Sequence, residues 1–267
     1  MTGLRQNEAL YLYYVTGSQF VGEIDGLGIN DAALSAHRSA DFVSMLGSVR
    51  LDDFCGLAAE ANLGDVAWIA ERALRHQRVI EQGFSRGPVM PARFGTLFSS
   101  LLSLDRFLNL NQQTISGFLE HVKGHEEWGV KVLLERSIAG KWLGAQLAAS
   151  ASGQVGTAPG LRYIQQRRAE AAAVKQLQRW LPEACESIAG ALNKYAIELR
   201  ERRILDAAVG DSRELVLNLA ALIPHERREK LIAHVEDFNL KRAEQGLGLM
   251  LNGPWPAYSF CPPLVTP

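Results

Sequence analysis

Residues 127–134 read Glu-Trp-Gly-Val-Lys-Val-Leu-Leu, and their alternation decides how the second half of the chain is read. Trp128, Val130, Val132 and Leu134 fall on one side of an extended segment, with Gly129, Lys131 and Leu133 on the other, the period of a half-buried strand. Toward the C-terminus, Ser137 to Ser150 reads as a helix, and Ala151 to Gly160, with three glycines and a proline, reads as a loop. Val174, Leu177, Leu181, Cys185, Ile188, Leu192, Tyr195 and Leu199 then step by three or four residues. Because the stripe keeps phase through Pro182, the spacing predicts one long helix, kinked rather than ended at the proline. Ile204 to Val209 and Leu215 to Ile223, around Gly210-Asp211-Ser212, predict a hairpin with Leu215, Leu217, Leu219 and Ala221 on one face. Pro224 suits the first turn of a helix whose buried side is Leu231, Val235 and Phe238, and Gly246 stops it before a last strand, Leu247 to Leu251, that ends at a proline. The resulting order, β-α-β-β-α-β, is the ferredoxin-like arrangement with extra helical length in its first crossover.

The N-terminal half is less regular. Ala9 to Val15 and Phe20 to Ile24 read as strands joined at Thr16-Gly17-Ser18, and Asp41 to Val49 as a third strand. Val66, Ile69, Ala73 and Ile80 recur at helical spacing to about Gln82, where Gly83 is expected to stop the helix. Gly87 to Phe98, with Pro88, Pro91 and Gly95, predicts a short extended segment. Two short helices follow, the first capped by Ser103, the second carrying Ile115, Phe118, Leu119 and Val122 and closed by Gly124. The expected class is therefore α+β, with an N-terminal α+β domain over 1–124, a modified ferredoxin-like domain over 125–252, and a tail over 253–267.

At 267 residues, 47% apolar, 21% charged and net charge −1, the chain has the composition of an ordinary globular protein. No global field points to nucleic acid or an anionic membrane, and neither is expected as a partner. No signal-peptide pattern opens the chain and no 18-residue apolar run occurs in it, so a cytoplasmic location is expected. Cys55, Cys185 and Cys261 stand far apart and read as free thiols.

The catalytic patterns lack their structural context. Gly83-Phe84-Ser85-Arg86-Gly87 matches a hydrolase G-x-S-x-G sequence, but a helix precedes Ser85 and an extended segment follows, the reverse of the order that exposes a nucleophile. His121 and His125 are four apart, yet Gly124 breaks the helix that would set them side by side on a metal. His37, His76, His225 and His234 read as surface or cap residues. The arginines near 162–168 and 200–203 are interspersed with Glu170, Glu198 and Glu201 and read as helical ion pairs on a solvated face. Gly26-Leu27-Gly28 lacks the third glycine of a dinucleotide loop. No catalytic, cofactor or metal residue is assigned; a hydrolase built on Ser85 and a ligand-binding regulator on the ferredoxin-like domain stand as the alternatives.

Three segments concentrate aromatics with glycine or proline: Pro91 to Phe98, Glu127 to Val132, and Gly253-Pro254-Trp255-Pro256-Ala257-Tyr258-Ser259-Phe260. Arg93, Phe94, Phe98, Trp128, Lys131, Tyr163, Trp255, Tyr258 and Phe260 are the candidates for a domain junction packed by the tail, or for a surface presented to a partner protein.

With Pro159-Gly160-Leu161-Arg162-Tyr163 leading to Arg167 and Arg168, these segments resemble the gas vesicle proteins F and L, in the same order along nearly the whole chain. The family shows Pro-x-Arg-Phe-Gly-Thr-x-Phe, Glu-Trp-Gly-Val-Lys-Val and an end close to Gly-Pro-Trp-Pro-Pro-Tyr-Ser-Phe. Here Ala257 replaces the second proline of that end, and Ala92 stands where valine is common. The resemblance implies a non-enzymatic accessory or minor structural protein of gas vesicle assembly, without cofactor. Its implied partners are the hydrophobic major shell protein and other accessory proteins.

Overall fold

A computed structural model describes residues 7–19, 26–39, 41–150, 159–204, 208–209 and 213–266. The chain divides into two compact units, Met1–Glu126 with Trp255–Pro267, and Glu127–Pro254.

The first unit is organised around β1 (Glu8–Gly17), which pairs antiparallel with β3 (Phe42–Arg50) from Glu8↔Arg50 to Gly17↔Phe42. β2 (Ser35–Ser39) lies outside β3, while β4 (Val89–Pro91) and β5 (Leu97–Phe98) share the other side of β1. The strand expected at Phe20 to Ile24 lies outside the described residues. Helices α1 (Leu57–Gly64), α2 (Val66–Phe84), α3 (Leu101–Leu110) and α4 (Gln112–His121) complete the unit. Asp65 caps α2 by accepting from the N–H of Ala67 and Trp68. The register shift between Leu12 and Tyr14 breaks the strand's alternation. Consecutive Tyr13 and Tyr14 therefore both reach α2, the first against His76 and the second against Gly83.

Two local expectations are corrected here. Gly83 does not end α2 but lies within it, because the Tyr14 ring occupies the space a side chain would need; a Cβ at Gly83 would stand 2.5 Å from Tyr14 Cζ. Gly83→Ala is thus expected to destabilise by about 1–3 kcal/mol, overpacking outweighing the better helix propensity of alanine. A denaturant melt of the variant checks this. Ser103 is not the cap of α3. Ser100 is, and Ser103 returns the bond to the Ser100 N–H as the third residue of a capping box.

The second unit contains β6 (His125–Glu135), α5 (Arg136–Ser150), α6 (Pro159–Leu192), β7 (Glu198–Glu201), β8 (Ala208–Val209), β9 (Arg213–Pro224), α7 (Arg228–Arg242) and β10 (Leu247–Trp255). The strand order is β10-β6-β9-β7, with β8 also on β9, so the first strand is inserted between the last and the third as the ferredoxin-like arrangement requires. Trp128, Val130, Val132 and Leu134 of β6 meet Leu217, Leu219, Ala221 and Ile223 of β9 beneath Leu177, Ile188 and Leu192 of α6 and Leu231 and Val235 of α7. Each of the fully buried aliphatics in that layer contributes about 1.5–3 kcal/mol relative to exposure.

The long helix carries Pro182 internally, but it ends at Leu192. Tyr195 follows a turn, and Leu199 belongs to β7, opposite Ala221. β7 was hidden because Glu-Leu-Arg-Glu has one apolar side chain, which happens to fall in phase with the helix. Pro159 and Gly160 belong to α6 rather than to a loop, and 151–158 lie outside the described residues. Of the expected Ile204 to Val209 strand, Ala208–Val209 is seen, paired with Arg213 and Glu214, and its turn lies outside the described residues. Pro224 is the last residue of β9 and precedes a 3₁₀ turn, His225–Arg227. Gly246 stops the next helical segment with φ 70°. β10 does not stop at Pro254 but continues to Trp255.

Candidate functional site

The segment that follows β4 is held by the tyrosines of β1. Ala92 N–H donates to Tyr13 O and Leu12 N–H to Thr96 O, while Arg93 O accepts from both the N–H (3.1 Å) and the hydroxyl (2.7 Å) of Thr96. Gly95, at φ 80°, donates its N–H to the Tyr11 hydroxyl at 3.1 Å. Tyr11 is 2.9 Å from His76 Nδ1, and His76 Nε2 is 3.2 Å from Ala92 O. A carbonyl only accepts, so Nε2 carries the proton, Nδ1 accepts from Tyr11, and each group in the chain has a partner. Phe94 stands edge-on to Tyr11 and His76 and tilted against Phe54.

Burial governs the charges in this cluster. It lowers the His76 pKa to about 4, against a smaller opposing effect of the Ala92 carbonyl. It pushes Tyr13 up to about 12, and it raises Tyr11 and Tyr14 as well. All four are neutral near pH 7; the Tyr11–His76–Ala92 chain is a satisfied buried network, whereas the Tyr14 hydroxyl is buried without a hydrogen-bond partner among the described residues. His76 was expected at the surface; its spacing to Ile80 and Gly83 on the inner side of α2 was the signal that places it inside. His37, also expected at the surface, is half-buried and 2.8 Å from Asp105. Burial opposes the Asp105 charge, but hydrogen bonds from Ser39 and His37 prevail and lower its pKa.

The tail joins the first unit. Tyr258 donates its hydroxyl to Gln77 Oε1 at 2.6 Å, Phe260 is 3% exposed, and Pro256 and Ala257 are buried. Further on, the Asn111 carboxamide pairs with the backbone of Val265, donating to its carbonyl (2.9 Å) and accepting from its N–H (2.8 Å). Nothing in the spacing of Asn111 announces this.

Of the remaining candidates, Arg93 is exposed, Phe98 packs on Phe107, and Trp128 is in the core of the second unit. Lys131 and Trp255 are half-buried, and the side chain of Tyr163 lies outside the described residues. Phe94 and Tyr258 thus meet the same core; Trp128 and Lys131 sit on β6. The glycines of the two C-terminal segments have steric reasons: a side chain at Gly129 would strike the Asn252 carboxamide, and one at Gly253 would stand 2.9 Å from Glu127 O and 3.1 Å from the Trp128 ring. Buried Glu127 pairs with Arg202, and Arg200 with Glu198, on and beside β7 rather than along a helix.

Ser85 is the C-cap of α2, and its Oγ donates to Gln82 O at 2.9 Å. His121 ends α4 and His125 begins β6, with Gly124 between them at φ 74°. Among the described residues no group of three metal-ligating side chains converges, and no helix is long and apolar enough to cross a membrane. Cys55, Cys185 and Cys261 form no disulfide.

The sequence profile described as "Gas vesicle synthesis protein GvpL/GvpF" matches residues 9–262. The chain belongs to the GvpL/GvpF family. It is 28% identical over 256 residues to gas vesicle protein L of Streptomyces sp. (strain CB03234), covering 94% of this chain and 91% of that one. Its fold is that of two crystal structures: GvpF from Anabaena sp. PCC7120, with TM-score 0.68, 15% identity, and 97% and 98% of the two chains covered, and GvpF from Microcystis aeruginosa, with TM-score 0.65, 17% identity, and 95% and 99% covered. The GvpL/GvpF assignment associates the chain with gas vesicle synthesis and accounts for the α+β architecture with two sheets.

Proposed function

We propose that this protein is a non-catalytic assembly factor or minor component of gas vesicles, acting in the cytoplasm by binding the hydrophobic shell protein and other accessory proteins. The observation that carries the reading is the family match along residues 9–262, which includes every aromatic segment singled out in the sequence. A shell subunit with an apolar surface is prone to aggregate before it is assembled, and a partner that covers its exposed strand or helix keeps it competent. The function is recognition, and it draws on exposed groups.

Of the candidate residues, Phe94 and Tyr258 pack on the core of the first unit, Trp128 lies in that of the second and Phe260 is buried; among those whose side chains are described, Arg93 is the exposed one, and it is taken as partner-facing. Arginine is among the usual interface anchors. Co-purification of the shell protein with the affinity-tagged chain, with and without the other accessory proteins, tests the reading. Retention is expected, and Arg93→Ala is expected to weaken it about fivefold to thirtyfold, the equivalent of 1–2 kcal/mol, with an unchanged melting temperature. No retention under either condition would sink the reading.

A further inference from the structure

The sheet edges of this protein are unequally guarded. Natural edge strands avoid unwanted pairing by being short, charged or interrupted by proline. Among the described residues, β2 reads Ser-Ala-His-Arg-Ser, β7 reads Glu-Leu-Arg-Glu, β4 has three residues ending in Pro91, and β5 and β8 have two each. β10 is different. It is an edge strand of nine residues, Leu-Gly-Leu-Met-Leu-Asn-Gly-Pro-Trp, with no ionisable side chain and with its one proline, Pro254, only at the eighth position, beyond the Leu247–Leu251 stretch.

The direction of its free backbone groups follows from two bonds. Glu135 N–H donates to Gly246 O, so the even-numbered positions at the start of the strand turn toward β6. Leu249 turns the other way, donating its N–H to Asn239 Oδ1 (2.7 Å) and accepting from Asn239 Nδ2 (2.9 Å). The carboxamide of Asn239 offers one acceptor and one donor side by side, as a residue of a neighbouring strand would. Two residues on, Leu251 presents its N–H and C=O on the same free side, and among the described residues no side chain or loop takes them up. Beside this edge runs a groove of about 620 Å³, walled by Leu247, Leu249, Leu251 and exposed Met250 on the strand and by Ile232 and Val235 of α7, with Glu135, Arg213 and Glu236 also in its lining.

We infer that β10 is a docking edge for an extended, apolar strand of the shell protein, which takes the Leu249 pair over from Asn239, continues onto Leu251, and seats apolar side chains in the groove. The inference rests on the shell-protein reading above. Backbone groups repeating every second residue match only an extended chain, and an apolar, uncharged edge selects an apolar one.

The test is co-expression of the full chain with the gas vesicle shell protein, followed by quantified co-purification. Met250→Lys adds the charge that other edges carry, and Leu251→Pro removes an outward N–H that the fold does not use, a change that edge strands accept. Each is expected to reduce retained shell protein at least tenfold with circular dichroism as in the wild type; Met250→Lys leaves the melting temperature unchanged, Leu251→Pro lowers it because Leu251 packs against the core, and Asn239→Ala is expected to retain at least as much shell protein as the wild type. If Leu251→Pro unfolds the chain, Met250→Lys alone decides. Wild-type retention with equal retention by a folded Met250→Lys would overturn the edge while leaving the shell-protein reading intact. Loss of self-association in Met250→Lys with shell retention unchanged would assign the edge to a second copy and overturn it likewise. A wild type that retains no shell protein would overturn both.

Discussion

Deletion of residues 255–267 is expected to destabilise the first unit by at least about 4 kcal/mol, because truncating a single buried phenylalanine such as Phe260 already costs about 3–5 kcal/mol. The Tyr258–Gln77 bond and the Asn111–Val265 carboxamide pairing are lost with it, and buried Asn111 is left without the tail backbone it bonds. Domains of this size have total stabilities of about 5–15 kcal/mol, so the loss brings the unit close to unfolding. Hydrogen exchange of the truncated chain is the direct measurement. Protection should collapse in β1, β3 and α2 and persist in β6 and β9, whose core is built without the tail. Equal loss in both units, or none, would contradict this account of the C-terminus as part of the first unit's fold.

Acidification from about pH 6.5 to about pH 4 is expected to remove about 3 kcal/mol from the first unit through His76 alone. The folded pKa, about 4, lies below the unfolded value of 6.5 because burial penalises the imidazolium. Between those two values the unfolded chain binds a proton that the folded one does not, so stability falls as the pH falls through this window and levels off below it. The groups packed against His76 are Tyr11, Tyr13 and Phe94, none of which titrates there. Asp105, whose folded pKa is lowered, contributes its loss at more acidic pH, below the ordinary carboxylate value. In urea melts from pH 7 to pH 4.5, His76→Phe should flatten most of the slope seen in the wild type, even though it lowers the plateau by removing the Tyr11 partner. An unchanged slope in the variant would place the titrating group elsewhere.

The parts of the fold that were legible in the sequence are those where one periodicity runs without competition. β6 carries its apolar series from Trp128 to Leu134, although Leu133 on the opposite face is buried as well and the strand is covered on both sides rather than half-buried; β9 alternates from Leu215, and the apolar stripe of α6 crosses Pro182 in phase. Legibility failed where a neighbour in space, absent from local sequence, sets the outcome. Gly83 reads as a helix stop until the Tyr14 ring is seen against it, and His76 reads as a surface residue until Tyr11 and Ala92 are seen to bond both ring nitrogens. β7 owes its existence to the open side of β9 rather than to its own four residues.

The aromatic segments were recognisable as a set, but their division of labour was not. Phe94 and Tyr258 pack on one core, Trp128 lies in the other and Phe260 is buried, so the most distinctive letters of the sequence are largely structural. The groups proposed above for recognition are plainer: exposed Arg93 and the β10 edge, whose strand has no ionisable side chain. Neither stands out by residue type, and the edge is defined by backbone direction, which no side-chain pattern encodes.

Gas vesicle yield in cells that carry the complete gas vesicle gene set, with only this chain deleted, tests the central claim most directly. The account predicts that vesicles are lost, that the wild-type chain and Ser85→Ala both restore them, and that shell protein accumulates in the insoluble fraction in their absence. Undiminished vesicle production without the chain would contradict it.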